Sequence, residues 1–359
     1  MEQAVVLTDV ARLSYQIIGR LMCLSLQAAG IRAVELPLPQ DESQRRTCRI
    51  ALRGAVVFHN TIGPLLTPVP GVVNVALPLH EWSRYPAAWI ERLHRFDAVW
   101  TASRFVARTL RASGLRTPLT FVPPALDLEM PTRKRSRRAG QPFRFLSCGE
   151  PHFRKAFHLL IEGFLEAFPK PGVATLTIKT STQCRWDPPR RDIVIRPELL
   201  SRAEMLDLYR GFDAYASVSL GEGLGLPVAE ATLAGLPVVA NRWSGHADLI
   251  PPTGCFNVGY RLVDQPFCSE PSYYAAGQRC AWPRPGEIVA ALRSAVAASA
   301  RARFQMAHLA RSHLLNTFGT ASATRRIRRA WCALPRGDRR RARPAGAPAR
   351  QLHVPAMKR

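Results

Sequence analysis

Residues 219–240, which read SLGEGLGLPVAEATLAGLPVVA, carry the strongest structural signal in the chain. Three glycines, at positions 221, 223 and 225, precede Pro227. Proline is favoured in the first turn of a helix, where its missing N–H costs no hydrogen bond. No Ser, Thr or Asp side chain precedes this proline to cap the helix, so its first amides lack an internal partner. A glycine-rich turn leading into such a helix start suits phosphate or sugar oxygens.

Two carboxylates belong to this segment. Glu222 lies in the glycine-rich turn, and Glu230 follows Pro227 by about one helical turn. A carboxylate accepts hydrogen bonds from two neighbouring hydroxyls, which suits the diol of a ribose or a hexose. The apolar residues 237–240 end the segment as a short buried strand would. We therefore predict a turn, a helix and a strand, with the turn facing a sugar-containing ligand.

Outward from this segment, the chain alternates strand-like and helix-like patterns. Strands are predicted at residues 4–7, 33–36, 55–59, 72–77, 98–101, 120–122, 143–148, 174–179, 193–195, 214–217 and 237–240. Helices are predicted at residues 15–29, 103–113, 156–168, 201–209 and 227–234, and throughout residues 286–331. This alternation predicts an α/β protein with parallel sheets covered on both faces.

The alternation is interrupted once, which divides the chain into two domains. We predict an N-terminal domain over residues 1–125, a polar and basic linker over 126–142, and a second domain over 143–317. A last helix at 318–335 precedes a tail at 336–359, which is rich in Arg, Pro and Ala and is expected to be disordered. Two such domains create a cleft at the carboxyl ends of their strands, where ligands bind.

Composition and charge restrict the function classes. The net charge of +24 favours anionic partners, which include phosphorylated substrates, acidic lipid headgroups and nucleic acid. None of the eight cysteines forms a C-x-x-C pair, which argues against a zinc ribbon and fits a reducing compartment. The sequence has no secretory signal and no apolar stretch near about 18 residues. We expect a cytoplasmic protein that contacts the inner face of an anionic plasma membrane.

A second segment, residues 143–164 (FRFLSCGEPHFRKAFHLLIEGF), reads as a strand, a loop and a helix. Arg154 and Lys155 lie in its loop, in the part of the chain that precedes the helix. Cations in such a loop stabilise a bound diphosphate and the charge that develops when it departs.

Residues 219–240 resemble the signature of the family-4 retaining glycosyltransferases, which consists of two Glu separated by seven residues, with G-x-G-L-P between them and G-x-P-V-V after them. The resemblance implies the GT-B fold, in which two Rossmann-like doubly wound domains face a cleft and are followed by C-terminal helices. It implies that Glu230 binds the donor ribose and that Glu222 lies against the transferred sugar. The intervening donor-binding residues are Gly223, Leu224, Gly225 and Leu226.

Residues 143–164 resemble the diphosphate-holding element of the same family. Lys155 matches the family's Lys, and Arg154 stands beside it. Glu150 occupies the place where the family usually has Arg, and Ala156 the place of a usual Gly. The resemblance therefore implies that Arg154 and Lys155 together hold the donor diphosphate, with an unusual acid close by.

Residues 74–106 resemble the family segment that lies on the acceptor side of the cleft. The resemblance places His80 at a strand end close to the transferred sugar, as a catalytic-site residue. Glu81, Trp82 and Arg84 follow as acceptor contacts. The family's glycine-rich donor loop near the N-terminus is not evident. Residues 318–331 resemble the last helix of the family, which crosses back onto the first domain.

The activity implied by this resemblance is retaining transfer of a hexose from a nucleotide-sugar to a hydroxyl acceptor. Lipid-linked sugars and precursors of cell-surface polysaccharide, lipopolysaccharide and glycolipid are acceptors in the family. No Asp-x-Asp occurs, so we expect neither a metal nor a cofactor. Two alternatives stay open: a GT-B nucleotide-sugar epimerase, which needs no acceptor, and a non-catalytic membrane or nucleic-acid binder. The basic runs lack interleaved aromatic residues, which argues against nucleic acid.

Overall fold

A computed structural model of the chain contains two six-stranded parallel sheets. It describes residues 3–39, 54–127, 140–181, 187–266 and 275–335, together with residues 41, 44 and 52. Most of the linker predicted at 126–142, and the whole tail predicted at 336–359, lie outside the described residues. No described helix is both long enough and apolar enough to cross a bilayer.

The first sheet has the strand order β2-β1-β3-β4-β5-β6. Its strands are β1 (Gln3–Thr8), β2 (Arg32–Pro37), β3 (Val56–Asn60), β4 (Val73–Ala76), β5 (Ala98–Thr101) and β6 (Leu119–Phe121). Its helices are α1 (Leu13–Ala28), α2 (Ala87–Leu93) and α3 (Arg104–Ala112). In β1, Ala4 and Val6 enter one buried cluster and Val5 and Leu7 enter another. Both faces of the sheet are thus covered, which explains why its strands read as continuous apolar runs.

The second sheet has the order β12-β11-β10-β7-β8-β9. Its strands are β7 (Phe143–Cys148), β8 (Ala174–Thr180), β9 (Ile193–Pro197), β10 (Ala214–Ser217), β11 (Val238–Ala240) and β12 (Cys255–Asn257). Its helices are α4 (Phe157–Ala167), α5 (Arg202–Arg210), α6 (Leu226–Leu233) and α7 (Gly245–Leu249). The chain order reverses between β7 and β10, so the loops that follow these two strands border the crevice in which doubly wound sheets bind ligands.

Three strands of the second half were not predicted. They are β12 and an antiparallel pair, β13 (Tyr260–Asp264) and β14 (Arg279–Pro283). The pair is short and largely exposed on β13, so its side chains show no apolar alternation that a sequence pattern could reveal.

The chain ends its described part with three helices, α8 (Pro285–Ala297), α9 (Ala300–Phe318) and α10 (Thr320–Cys332). Ile327 and Ala330 of α10 lie in the same buried cluster as Met22 and Leu26 of α1. The guanidinium of Arg328 also donates a hydrogen bond of 3.1 Å to the carbonyl of residue 29. The last helix therefore packs against the first half of the molecule.

The two halves share buried contacts. Ile18 and Leu21 of α1 lie in one cluster with Leu208 and Tyr209 of α5. Trp82, in the loop after β4, lies in the cluster that covers the opposite face of the second sheet. Burial of apolar side chains from both halves in common clusters stabilises one closed arrangement of the two sheets.

Candidate functional site

The loops that follow β7 and β10 lie against each other at the reversal point of the second sheet. The backbone N–H of Leu220 donates a hydrogen bond of 2.7 Å to the carbonyl of Arg154. The Oγ of Ser219 lies 3.0 Å from the same carbonyl oxygen. These contacts fix the loop of Arg154 and Lys155 beside the glycine-rich turn, so the two segments singled out in the sequence form one site.

Glu222 is the centre of this site. Its Oε1 accepts hydrogen bonds from the ammonium of Lys155 at 2.6 Å and from the hydroxyl of Ser219 at 2.9 Å. Its Oε2 lies 3.0 Å from the guanidinium of Arg154. The residue is only 6% exposed. Buried charges require partners of this kind, because an unpaired ion in a low-dielectric interior is very costly.

Burial and neighbouring charges shift the pKa values of Glu222 and Lys155 in opposite directions. Burial by itself raises the pKa of Glu222, but Arg154 and Lys155 lower that pKa well below its ordinary value. Burial lowers the pKa of Lys155, and Glu222 acts in the opposite direction. The carboxylate therefore stays ionised over the whole physiological range. The Glu222 carboxylate therefore holds the cationic groups of Arg154 and Lys155 close together.

The glycine-rich turn leads into α6 as the sequence predicts. Gly225 is the N-cap residue, has φ of 93° and provides no side-chain cap. A Cβ there would lie 2.7 Å from Cδ2 of His246, and one at Gly221 would lie 2.3 Å from the carbonyl oxygen of Glu81. These glycines are thus required by close contact with the protein itself. The carbonyl of Gly223 accepts a hydrogen bond of 2.7 Å from Ser103.

Leu224 and Leu226, on either side of Gly225, belong to the packing of the second half. Leu224 is buried in the cluster that contains Leu208 and Tyr209, and Leu226 packs against that cluster while partly exposed. Their side chains fix the turn, so a bound donor would meet the backbone of residues 223–226.

Glu230 is buried on α6, and both of its oxygens have partners. It forms an ion pair with Arg202, and Tyr209 donates a hydrogen bond of 2.8 Å to its Oε2. It is 7% exposed. Arg202 also lines a cavity of about 150 Å³ between the halves, together with Ile17, Arg20 and Leu21. Each of the two Glu230 oxygens can accept one further hydrogen bond.

His80 is buried in the loop after β4, and its contacts hold that loop together. Its Nε2 lies 2.7 Å from the carbonyl oxygen of Arg84 and 3.2 Å from the side-chain nitrogen of Gln278. Its ring packs on Tyr85 and Trp89 at centroid distances of 4.4 and 5.6 Å. Burial lowers its pKa, which favours the neutral ring. Its backbone, not its ring, faces the glycine-rich turn, at Gly223.

The three acceptor-side residues have different surroundings. Glu81 is partly exposed, and its Oε1 lies 3.6 Å from the guanidinium of Arg154, so it extends the cluster of Glu222 towards the first half. Trp82 is only 3% exposed and packs in the core of the second half, so in this conformation its ring offers an acceptor no surface. Arg84 is exposed, and its carbonyl accepts the hydrogen bond from Gln278 at 2.7 Å.

Comparison with known proteins adds information about the fold. No family model and no curated protein matches the sequence. A solved structure of HepE from Anabaena, in complex with UDP and glucose, superposes with a TM-score of 0.66 at 14% identity, over 93% of this chain and 100% of HepE. The chain has the GT-B fold.

Two further GT-B structures support the same fold. The trehalose-6-phosphate synthase OtsA is 11% identical, with a TM-score of 0.65 over 93% of this chain and 99% of OtsA. TarM from S. aureus, in complex with UDP and alpha-GlcNAc-glycerol, is 11% identical, with a TM-score of 0.59 over 81% of this chain. The match spans 58% of the TarM chain. At these identities the likeness extends to the fold alone.

Several residues of this GT-B site were not predicted from the sequence. The hydroxyl of Ser244 accepts a hydrogen bond of 2.8 Å from the backbone N–H of Glu222, and Ser244 has φ of 54°. His246 is buried beside Gly225, and burial lowers its pKa to about 4. Ser244 ends the turn after β11, and His246 lies at the start of α7. Nothing in a single sequence distinguishes such a turn from an ordinary loop.

Within the ranges that the structure describes, no group of three or more His, Cys, Asp or Glu side chains could hold a metal ion. Arg154 and Lys155, which both pair with Glu222, bring positive charge to the reversal point.

Proposed function

We propose that this chain is a glycosyltransferase that moves a hexose from a nucleotide-sugar to a hydroxyl acceptor and retains the anomeric configuration. The observation that carries the proposal is the buried cluster of Lys155, Glu222 and Arg154 at the reversal point of the second sheet. Two proteins of the same fold, HepE and TarM, have been solved in complex with UDP. Their ligands support UDP as the first nucleotide to test.

In the proposed reaction the donor diphosphate lies between Lys155, Arg154 and the first amides of α6. The bond from the sugar C1 to the phosphate oxygen breaks, and the acceptor oxygen forms its bond to C1 on the same face. The acceptor proton passes to the departing phosphate oxygen. Both cations act where negative charge develops, which is the most effective use of fixed charges in an active site.

Glu222 has two functions in this proposal. Its carboxylate orients Lys155 and Arg154, and it stands beside the transferred sugar, where it stabilises positive charge that develops on C1. Ser219 and Ser244 hold it in place from both ends, through hydrogen bonds to its carboxylate and to its backbone N–H. A carboxylate that already has fixed partners needs no rearrangement during the reaction.

The contacts between the halves support a closed catalytic state. Ser103 bonds the carbonyl of Gly223, and the N–H of Phe105 donates a hydrogen bond of 2.9 Å to Asp248. Both bonds join the first half to the second. Closure of this kind excludes water, which strengthens charge interactions and prevents hydrolysis of the donor. In this proposal the halves separate to admit the donor and to release its product.

The proposal also covers metal dependence and cellular location. Lys155 and Arg154 supply the positive charge that a divalent ion supplies in other transferases, so we propose metal-independent catalysis without a cofactor. The net charge of +24 favours an anionic surface. We propose a cytoplasmic enzyme that acts at the inner face of the plasma membrane, on a lipid-linked or other hydroxyl acceptor, in assembly of cell-surface polysaccharide, lipopolysaccharide or glycolipid.

A donor screen tests this function. Melting temperature is measured with UDP-, GDP- and ADP-hexoses, because a ligand that binds only the folded state raises it. Release of nucleoside diphosphate is then measured with and without a hydroxyl acceptor, and with EDTA. Lys155→Ala should lose most of its turnover, whereas the exposed Lys170→Ala should not. Absence of a shift with every nucleotide contradicts the proposal, and sugar conversion without an acceptor indicates an epimerase.

A further inference from the structure

Lys179 lies one strand away from the reversal point, near the carboxyl end of β8, and takes no part in the cluster described above. It is next to last in β8, and its register partner in β7 is Cys148. Neighbouring residues in register on parallel strands point to the same face of a sheet. Cys148 lies in the cluster that contains Tyr209 and Val228, so Lys179 is on the face of the sheet that α5 and α6 cover. This is also the face to which Glu230 belongs.

Gly149 contacts the backbone carbonyl of Lys179 and the side chain of Lys155. The backbone N–H of Gly149 donates a hydrogen bond of 3.0 Å to the carbonyl of Lys179. A Cβ on Gly149 would lie 3.0 Å from Cε of Lys155 and 3.5 Å from its ammonium nitrogen. Burial raises the pKa of the Cys148 thiol to about 12, and the ammonium groups of Lys179 and Lys155 both act on this thiol in the opposite direction.

The pairing of Lys179 differs from that of the other cations. Arg154 and Lys155 are both paired with Glu222, and Arg202 is paired with Glu230. Lys179 is only 6% exposed, and no ion pair joins it to any carboxylate in the described part of the chain. A cation that is held in place without a counter-ion attracts anionic ligands. Such a group requires a functional reason, and a bound anion provides one.

Glu150 leaves the neighbourhood of the cluster short of positive charge. This acid stands where an arginine was expected, and the hydroxyl of Ser181, just after β8, donates a hydrogen bond to its carboxylate. Lys155 and Arg154 share two acids, Glu222 and Glu81, so these four charges sum to zero. A nucleoside diphosphate carries several negative charges and requires additional positive charge nearby.

We propose that Lys179 binds the diphosphate of the donor and replaces the cation that Glu150 does not supply. This inference rests on the proposed function and deepens it. The ammonium of Lys179 approaches the phosphates from the end of β8, and Lys155 approaches them from the loop after β7. The ligand class is a nucleoside diphosphate, and the groups recognised are its phosphate oxygens, not its base.

Calorimetric titration with UDP and with uridine separates these groups. Lys179→Met should weaken UDP binding by about 10- to 100-fold, the range for loss of one charged hydrogen bond. Uridine, which has no phosphate, should bind wild type and variant alike. Lys170→Met, which removes an exposed lysine outside the site, is the matched control and should change neither affinity. Lys179→Arg should retain most of the UDP affinity, because it keeps the positive charge.

Melting temperature separates a binding role from a structural one. Without ligand, Lys179→Met should melt at the same temperature as wild type or higher, because Lys179 has no ion pair to lose within the described residues. If Lys179→Met does not fold, Lys179→Gln is measured in the same titrations. UDP affinity within twofold of wild type overturns this inference alone, and so does an equal loss of UDP and uridine binding. Failure of wild type to bind UDP, GDP and ADP overturns the proposed function as well.

Discussion

At the residue scale, Glu222 determines how the charged groups of the site are arranged. It is buried, and its two oxygens meet Lys155, Arg154 and the hydroxyl of Ser219. A diphosphate that enters this site brings negative charge close to a carboxylate that stays ionised. Like charges at short range in a cleft repel strongly and are poorly screened. In the proposed function, Glu222 therefore opposes donor binding, and its benefit lies in catalysis.

Glu222→Gln should have opposite effects on UDP binding and on turnover. UDP should bind as tightly as to wild type or up to about tenfold tighter, because each 1.4 kcal/mol of relieved repulsion is a factor of ten. Turnover should fall by about 100-fold or more, as for loss of an interaction made in the transition state. Calorimetry and rate measurements check this, with the exposed Glu162→Gln as control. Weaker UDP binding together with normal turnover would show that Glu222 serves the ground state.

Buried histidines predict how stability depends on pH. Burial lowers the pKa of His59 and of His246 to about 4, from 6.5. The unfolded chain binds protons at these side chains below about pH 6.5, and the folded protein does not until about pH 4. Their contribution to stability is therefore complete above 6.5 and is lost as the pH falls towards 4.

We expect the free energy of unfolding at pH 5 to be lower than at pH 7.5 by about 1–2 kcal/mol for each of these histidines. Urea unfolding at both pH values measures it. His246→Asn should reduce the difference by one histidine's share. An unfolding midpoint that is the same at pH 5 and pH 7.5 would mean that these side chains are protonated in the folded protein.

At the element scale, the start of α6 depends on the glycine before it. Gly225 has φ of 93°, and a Cβ there would lie 2.7 Å from His246. Gly235, after the same helix, has φ of 78° but has no atom within 4 Å of such a Cβ. The two positions share the backbone penalty and differ only in the contact, so each is the natural control for the other.

Gly225→Ala should therefore be worse than Gly235→Ala. Each should lose about 1 kcal/mol of stability to its positive φ. Only Gly225→Ala should also shift the turn that carries Glu222, and we expect it to lose UDP binding and turnover. Urea unfolding and titration with UDP measure both quantities. Equal losses of stability together with unchanged UDP affinity in both variants would mean that the contact with His246 does not shape the site.

Features that depend on neighbouring residues could be predicted from the sequence, whereas features that depend on contacts between distant residues could not. Strands such as Phe143–Cys148 and Ala214–Ser217 were predicted to the residue because their apolar runs are local properties. The burial of Trp82 in the second half was not predicted, because it depends on how two distant halves of the chain pack together. Lys179 reads as the polar end of a strand, and its burial results from helices more than 20 residues away along the chain. Glu222 and Lys155 were predicted from their motifs, and their direct contact was not.

At the scale of the whole molecule, the shared clusters of the two halves limit access to the site. Ile18, Leu21 and Trp82 are buried against the second half, so opening the cleft exposes apolar surface to water. Exposure of such surface costs about 25 cal/mol for each Å². With the donor bound in the closed state, as proposed, this cost slows the binding and release of the donor and does not enter its equilibrium affinity.

Trp82→Ala is the variant that tests this coupling between the halves. It removes a tryptophan that is 3% exposed, so we expect a loss of about 3–5 kcal/mol in unfolding free energy. If Trp82 also holds the closed state, the rate of UDP binding in stopped flow should rise, because less apolar surface must be exposed on opening. The exposed Phe304→Ala is a control for the loss of an aromatic side chain. Unchanged association rates would show that the cleft opens without moving this loop.

The net positive charge of the whole molecule predicts that it binds anionic membrane surfaces. The exposed Arg325 and Arg329 lie on α10, and the tail at 336–359, outside the described residues, brings eight of the fifty basic residues. Each basic residue near an anionic surface contributes about 1 kcal/mol, and the attraction decays within a Debye length of about 10 Å at 0.1 M salt.

We therefore expect the protein to sediment with vesicles that contain phosphatidylserine and not with neutral vesicles. Binding should be lost at about 1 M salt, where the Debye length shrinks to about 3 Å. Deletion of residues 336–359 should weaken vesicle binding and leave UDP affinity unchanged, because the proposed donor site lies at the reversal point of the second sheet. Equal binding to both vesicles, or to neither, would refute an electrostatic attachment. In that case the acceptor would have to reach the cleft in solution.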